Sequence, residues 1–503
     1  MPTYEKATIR GGGSVEFEVS NPAGSGGMKQ VFFVKGRQQV VAFFHNAAVD
    51  SDREERLQKV IGSYNPTRDG QTNAEYWRQV FCWPTALVDH PARGIGFLLP
   101  AYPECFFFQH GEVKGREKSG LWFNCIDRKT GRAMRYSKVH ESERGNLRSM
   151  MLSMIEVARA VRRMHNAGLA HSDLSENNVL IDPASGRALI IDVDSLVVTG
   201  LHPPDVLGTP GYIAPEVLAT KRLALSDPKR KHPSAETDKH ALAVMLYKHL
   251  LERHPLEGRR HFVGLSAEDE DEMLLGSKAL YSEHPTDQSN RPLGNRWMPA
   301  SALGPPLELL FRRAFVEGIN EPNRRPMPGE WVQALLWALD NMAPCANRAC
   351  PYGWFVVAGL ERKPCPACGH LNTAPLVRLN FEREGKRGWF RSEGSLILSV
   401  DQSGQSRTRI YRHHIERNLP RGPGEDTTPL AEVVHLETPY RGYYLENKAL
   451  PNLGVRLLGD VGLSYRHAPA PCKTYLMSNL EICFDIGGTD ARGKYARASV
   501  QVF

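Results

Sequence analysis

His171–Asp194 reads HSDLSENNVLIDPASGRALIIDVD, and the fold follows from how this stretch is interpreted. Asp173 is followed five residues later by Asn178, and Asp192 closes the apolar run ALIID. Phosphoryl transfer needs a carboxylate to accept or orient the attacking hydroxyl, plus oxygen ligands that hold Mg²⁺ on nucleotide phosphates. A loop carrying Asp173 and Asn178, facing a strand end carrying Asp192, can supply all three groups. Any one of these acids alone fits a surface loop equally well. The neighbouring segments therefore carry the weight.

Upstream, Ser14 to Val41 reads as strands broken by the Gly-rich turn NPAGSGG, and DSDREERLQKVI (Asp50–Ile61) as a short helix capped by Ser51 or Asp52. WPTALVD and GIGFLLPAY are two further strands. From Leu147 to His165 apolar residues return every three or four positions, the helical period. Helices are also expected over Thr237–Glu252 and Gly329–Asn341. A small strand-rich part thus precedes a larger helical part across residues 10–342.

Taken in order, the segments resemble the protein kinases. HSDLSENN and DVD are similar to that family's HRDxxxxN catalytic loop and DFG metal loop. Gly208–Glu216 (GTPGYIAPE) resembles its P+1 loop and APE motif. Asp238 is similar to the aspartate that braces the catalytic-loop backbone, and Arg325 in PNRRP to the arginine that pairs with the APE glutamate, here Glu216. The resemblance implies an α+β bilobal kinase fold, with an N-lobe over 10–103 and a C-lobe over 104–342. Mg²⁺-ATP would lie between Gly24–Gly27 and Asp192. Asp173 would orient the substrate hydroxyl, and Asn178 and Asp192 would bind Mg²⁺. GTPGYIAPE favours protein Ser/Thr hydroxyls, because small-molecule kinases of the aminoglycoside type share HxDxxxxN but lack this peptide-binding element. Thr209 reads as a structural contact to the catalytic loop.

Three departures bear on activity. Strand three reads QVVAFFHN where VAIK is expected, so Phe43 or Phe44 takes the place of the phosphate-anchoring lysine. The Gly-rich loop Gly24-Ser25-Gly26-Gly27-Met28-Lys29 puts Lys29 where a third glycine belongs. This resembles the with-no-lysine kinases, in which a lysine on strand two reaches the same phosphates, and it implies that Lys29 replaces the missing amine. Glu55, or else Glu54, would be the helix glutamate that orients it. Ser172 replaces the HRD arginine that couples a phosphorylated activation loop to the catalytic loop, so dependence on such phosphorylation is not expected. Asp194 replaces the DFG glycine, as a turn former or an extra metal ligand. Ser175 stands where many Ser/Thr kinases have lysine. The loop Leu196–Leu207 offers no strong phosphoacceptor besides Thr199.

The chain has 503 residues, with 24% charged and 41% hydrophobic, an ordinary globular composition. No apolar run approaches the roughly 18 residues that span a bilayer, and the start has no apolar signal core. A cytoplasmic protein is expected. Of the +7 net charge, +6 falls in Ala343–Phe503, where 21 Lys+Arg face 15 Asp+Glu.

Nine cysteines without an export signal disfavour a disulfide framework. Cys345-x4-Cys350 and Cys365-x2-Cys368 have the spacing of four thiolates around structural Zn²⁺ in a ribbon, over residues 343–375. His370 is the alternative ligand, and an iron centre or unpaired thiols the alternative occupancies. Beyond it, SLILSV, RTRIYR, AEVVHL, GYYLEN, GVRLL, LEICFDI and ASVQVF read as strands of an all-β, sandwich-like domain over 376–503. Arg407–Arg421 (RTRIYRHHIERNLPR) is a basic stripe that fits phosphorylated protein, nucleic acid or plain solvent. Pro420–Pro429 reads as an exposed loop.

The DVDSL and WPTALV variants and the appended ribbon resemble a bacterial eukaryote-like kinase group found in tellurite-resistance-associated triads. That resemblance implies a signalling or stress-response role, with a PP2C-type phosphatase and a von Willebrand A-domain protein as partners. Two other readings stay open: a pseudokinase scaffold acting through its C-terminal third, and nucleic-acid binding through ribbon and stripe.

Overall fold

The computed structural model describes residues 2–25, 29–45, 51–68, 73–124, 126–127, 132–193, 196–198, 208–224, 226–262, 264–294, 297–359, 361, 364–384, 390–400, 404–415, 421, 427–438, 440–450, 452–457, 466–467, 470–485 and 496–503. The chain forms two compact units. One comprises Met1–Gly145, Ser149–Ala300 and Leu309–Gln333; the other comprises Asn146–Arg148, Ser301–Glu308 and Ala334–Phe503.

The first unit opens with seven antiparallel strands: β1 (Tyr4–Ile9), β2 (Ser14–Glu18), β3 (Gly24–Ser25), β4 (Lys29–Phe33), β5 (Gln39–Phe44), β6 (Ala86–His90) and β7 (Gly94–Pro100). Their order across the sheet is β2-β1-β6-β7-β5-β4-β3. β1 begins ahead of residue 10, so the sheet takes in residues upstream of the expected N-lobe start. Side chains alternate between faces with period two. Phe17, Phe32, Val41, Phe43, Val88 and Leu98 fill one face. Ala42, Leu87 and Phe97 fill the other, with Leu57 of the helix α1 (Ser51–Ile61) and partly buried Phe44. Gly96 pairs with Phe43. A Cβ there would lie 2.5 Å from the Ala42 carbonyl and 2.6 Å from the Phe43 ring, so this position has room only for glycine.

The helix Leu147–Asn166 buries Met150, Met151, Met154, Val157, Ala158 and Val161 on one stripe, as its periodicity requires. Val179–Asp182 and Arg187–Ile190 form a hairpin in which Val179 faces Ile190. Asp192 therefore emerges two residues beyond a strand end, beside the loop 171–178. The helix Ala235–Leu251 is buried on nearly every face, and Thr237 Oγ1 closes its first turn by accepting the Ser234 N–H at 2.8 Å. The helix Pro328–Asp340 starts one residue before the expected span and ends one before it.

In the second unit the short strands Met342–Pro344 and Trp354–Val356 pair antiparallel. A six-stranded and a four-stranded sheet follow. Val377, Leu379 and Phe381 from one sheet and Ile410, Val433 and Leu445 from the other lie in a single core. Val377–Glu384 is a strand outside the expected set, although VRLNFERE alternates in the strand manner. Only Arg409–Ile410 of RTRIYR is strand, and Arg412–Ile415 turns into helix. Among the described residues no helix is long and apolar enough to cross a membrane.

Candidate active site and cysteine cluster

The loop 171–178 hangs on a buried carboxylate. Asp238, 1% exposed in the helix Ala235–Leu251, accepts the His171 N–H at 2.7 Å, the Ser172 N–H at 3.3 Å and His165 Nε2 at 3.0 Å. His171 Nε2 in turn donates to the Ile191 carbonyl at 3.1 Å, tying the loop to the segment that carries Asp192. Ser172 and Asp192 both have positive φ, 66° and 60°, backbone that non-glycine residues adopt at a cost and that is concentrated at working sites.

Asp173 is held from both sides. Its Oδ1 accepts the Thr209 N–H at 2.6 Å and the Thr209 hydroxyl at 2.7 Å. Its Oδ2 accepts Asn178 Nδ2 at 2.9 Å, and the same amide bonds the Asp173 carbonyl at 2.8 Å. The Asn178 amide nitrogen is thus committed to Asp173, which leaves its carbonyl oxygen as the group suited to a cation. Ser175, fully buried, lies 3.1 Å from the Thr209 hydroxyl, which can accept its O–H while donating to Asp173. The loop's Glu176 is 3.0 Å from Lys248. Burial pushes the Glu176 carboxyl up, but the Lys248 ammonium outweighs it and holds the pKa below the usual carboxylate range.

Lys29 lies on β4 directly opposite Phe44 of β5, so the two side chains share a sheet face. This register puts Phe44 on the Lys29 face and turns Phe43 into the opposite core. Lys29 Nζ forms an ion pair with Asp192 Oδ1 and lies 5.7 Å from the centre of the Phe97 ring. Glu55, half exposed, pairs with Lys59 in its own helix, and Glu54 bonds Arg10 and Gln58. Arg10 also bonds Asp89 at 2.7 and 2.8 Å, joining the turn after β1 to α1 and β6. No sequence pattern points to Arg10, which sits in a polar turn 79 residues from Asp89.

Arg325, 2% exposed, forks onto Glu216 with two bonds of 2.7 Å and also donates to the carbonyls of Gly318 and Glu236. That bidentate pair fixes the start of Pro215–Leu218. Gly24 and Ser25 are the described part of the glycine-rich loop. Gly26, Gly27, Asp194 and Thr199 lie outside the described residues, as do 420 and 422–426 of the expected loop Pro420–Pro429.

In the second unit the sulfurs of Cys345, Cys350, Cys365 and Cys368 all lie within 4.8 Å of one another. Cys345 to Cys368 is 3.7 Å and Cys350 to Cys365 is 3.8 Å. Tetrahedral thiolate ligands about 2.3 Å from zinc would be about 3.8 Å apart, so the donor set fits the ion. Gly369, at φ 73°, lets the second turn curl so that its N–H reaches the Cys365 carbonyl at 2.8 Å. His370 contributes its backbone carbonyl to the Cys365 N–H rather than joining the sulfur cluster. In the basic stripe Arg409 is 3.3 Å from Glu432, and Arg421 bonds both oxygens of Asp340 at 2.6 and 2.8 Å. Arg417 falls outside the described residues.

Residues 123–291 match the family model of the protein kinase domain. The relatives of the chain include proteins named as Ser/Thr kinases, one of them bacterial. Serine/threonine-protein kinase WNG2 of Toxoplasma gondii is 32% identical over 117 residues, covering 23% of this chain and 20% of that protein. The probable serine/threonine-protein kinase CE0033 of Corynebacterium efficiens is 26% identical over 247 residues, covering 44% of this chain and 35% of its own. The chain thus spans a fifth and about a third of these two relatives' lengths. A solved rhoptry antigen kinase domain of Toxoplasma gondii aligns over 67% of this chain and 86% of its own, at 15% identity and a TM-score of 0.39.

Proposed function

We propose that the chain is an ATP-dependent Ser/Thr protein kinase in which Lys29 does the work of the absent strand-three lysine. The observation that supports this best is the ion pair between Lys29 and Asp192, beside an Asp173 carboxylate held by Asn178 and Thr209. Gly24–Gly27 would cover the nucleotide phosphates, Lys29 would hold their oxygens, and the Asn178 carbonyl and Asp192 carboxylate would take Mg²⁺. Bound there, Mg²⁺-ATP supplies the phosphoryl group with its charge partly neutralised. Asp173 orients the substrate hydroxyl and takes up its proton, its direction fixed by Thr209 and Asn178. Glu55 would need to leave Lys59 to orient Lys29. Cys345, Cys350, Cys365 and Cys368 would hold a structural Zn²⁺ with no open position. The second unit would dock partner proteins, among them the phosphatase and von Willebrand A-domain protein that the triad resemblance implies.

The test is transfer of radiolabelled phosphate from Mg²⁺-ATP to the chain itself or to a generic protein substrate, with nucleotide binding followed by thermal shift. Asp173→Ala is expected to lose about 10²-fold or more of turnover and still bind ATP. Lys29→Met is expected to lose both. Wild type as inactive as the two variants would leave a pseudokinase scaffold as the reading. Full activity in Lys29→Met would remove the relocated lysine alone.

A further inference from the structure

The second unit holds an open cleft of about 710 Å³, walled by the cysteine knuckles on one side and the strands of the C-terminal sheets on the other. Arg348, from between Cys345 and Cys350, and Arg407, just ahead of Arg409–Ile410, both line it, together with His435 and the rings of Trp354 and Tyr443. No aspartate or glutamate is among its described lining residues. Asn372 reaches it as well: its Oδ1 accepts the Ala346 N–H at 2.6 Å, while its buried Nδ2 has no hydrogen-bond partner among the described residues. The volume matches pockets that enclose a ligand or a few residues of an extended peptide.

We infer that this cleft docks a protein segment bearing phosphoserine or phosphothreonine. Guanidinium groups suit phosphate because their planar fork matches its oxygens, and the described lining residues bring no carboxylate to repel a dianion. The aromatic rings offer flat apolar surface to the residues flanking the phosphate, and Asn372 Nδ2 offers a donor. The kinase unit of the same chain, read as proposed above, makes this product, and the inference rests on that reading for the source of its ligand. Nucleic acid fits less well. It needs a continuous cationic track, whereas Arg409 and Arg421 of the basic stripe are already paired with Glu432 and Asp340.

The experiment uses the immobilised full chain and four degenerate nine-residue peptide pools, with phosphothreonine, phosphoserine, threonine or glutamate at the centre. Both phosphorylated pools should be retained at least tenfold over the threonine and glutamate pools. The double variant Arg348→Glu/Arg407→Glu should lose that retention with an unchanged circular dichroism spectrum and melting curve. Equal retention of the glutamate pool would overturn phosphate recognition in favour of a general acidic segment. Retention by the double variant would overturn the site. Salt-sensitive retention of single-stranded DNA in place of the peptides would overturn the class of partner. Because the peptides are synthetic, Asp173→Ala should bind them like wild type. An inactive kinase unit would therefore leave this result untouched, and a failed binding result would leave the kinase reading untouched.

Discussion

Lys29 and Phe44 face each other across one register pair, and the proposed role of Lys29 rests on that pairing. The position of Lys29 in the glycine-rich loop is enough to nominate it from sequence. The choice between Phe43 and Phe44 is not legible, because both are apolar and only the register says which face each takes. Thr209 is similar: its place in GTPGYIAPE suggests contact with the catalytic loop, but not that both its N–H and its hydroxyl converge on one Asp173 oxygen. His249 shows a residue whose role sequence leaves blank. It is fully enclosed, donates from Nδ1 to the Met245 carbonyl at 2.8 Å and accepts Asn124 Nδ2 on Nε2 at 3.2 Å. Burial lowers its pKa from 6.5 to about 4. Between those values the unfolded chain binds the proton and the folded chain does not. Stability is therefore complete above about pH 6.5 and falls as pH drops towards 4, by about 3 kcal/mol for this residue. Burial also lowers His240, His254 and His414, which act in the same direction. Melting temperatures from pH 7.5 to 4.5 should show a shallower acid slope for His249→Gln than for wild type. Equal slopes would remove His249 from the account.

At the level of elements, the helices expected over Leu147–His165, Thr237–Glu252 and Gly329–Asn341 lie within about two residues of those spans, whereas Ala74–Val80 and Ala267–Leu275 form helices outside the expected set, and the second unit departs further. Arg378, Asn380 and Glu382 break up the apolar run of Val377–Glu384, and the charged FEREGKRG that begins within it hides the strand from a reading that looks for apolar clusters. RTRIYR reads as extended for its β-branched and aromatic residues, yet the chain turns helical at Arg412, and the Tyr411 N–H donates to His414 Nδ1 at 2.9 Å. Sequence shows the charge of the basic stripe but not its partners. Asp340, at the end of the helix Pro328–Asp340, is 81 residues from Arg421. Burial raises the Asp340 carboxyl, but Arg421 and His414 outweigh it and drive the pKa far below the usual range. Arg421→Ala would leave that carboxylate enclosed without its main counter-charge, at a cost of about 3–5 kcal/mol. Urea unfolding of the full chain should show the loss, and adding Asp340→Asn should recover part of it. An unchanged midpoint in the single variant would mean that the pair contributes nothing.

For the whole molecule, two compact units imply that unfolding need not be a single transition. Zinc should be found at one ion per chain by elemental analysis. Cys365→Ser or strong chelation should remove it and lower the transition of the second unit, since structural zinc contributes folding free energy directly. A chain without metal, or one whose melting ignores Cys365→Ser, would rule out the tetrathiolate site. The excess positive charge of the last third is visible from composition, while the structure shows where some of it goes: Arg409 and Arg421 pair with Glu432 and Asp340, and Arg348 and Arg407 line the cleft. The hairpin β1–β2 also affects how the chain survives handling. β1 covers the edge of β6, and Arg10 just beyond it is pinned to Asp89. A protease cutting at the exposed turn Arg10-Gly11-Gly12-Gly13 would loosen that cover and expose unpaired amide and carbonyl groups about Leu87–Asp89, a template for edge-to-edge aggregation. A few residues that touch no substrate would then govern shelf life and solubility.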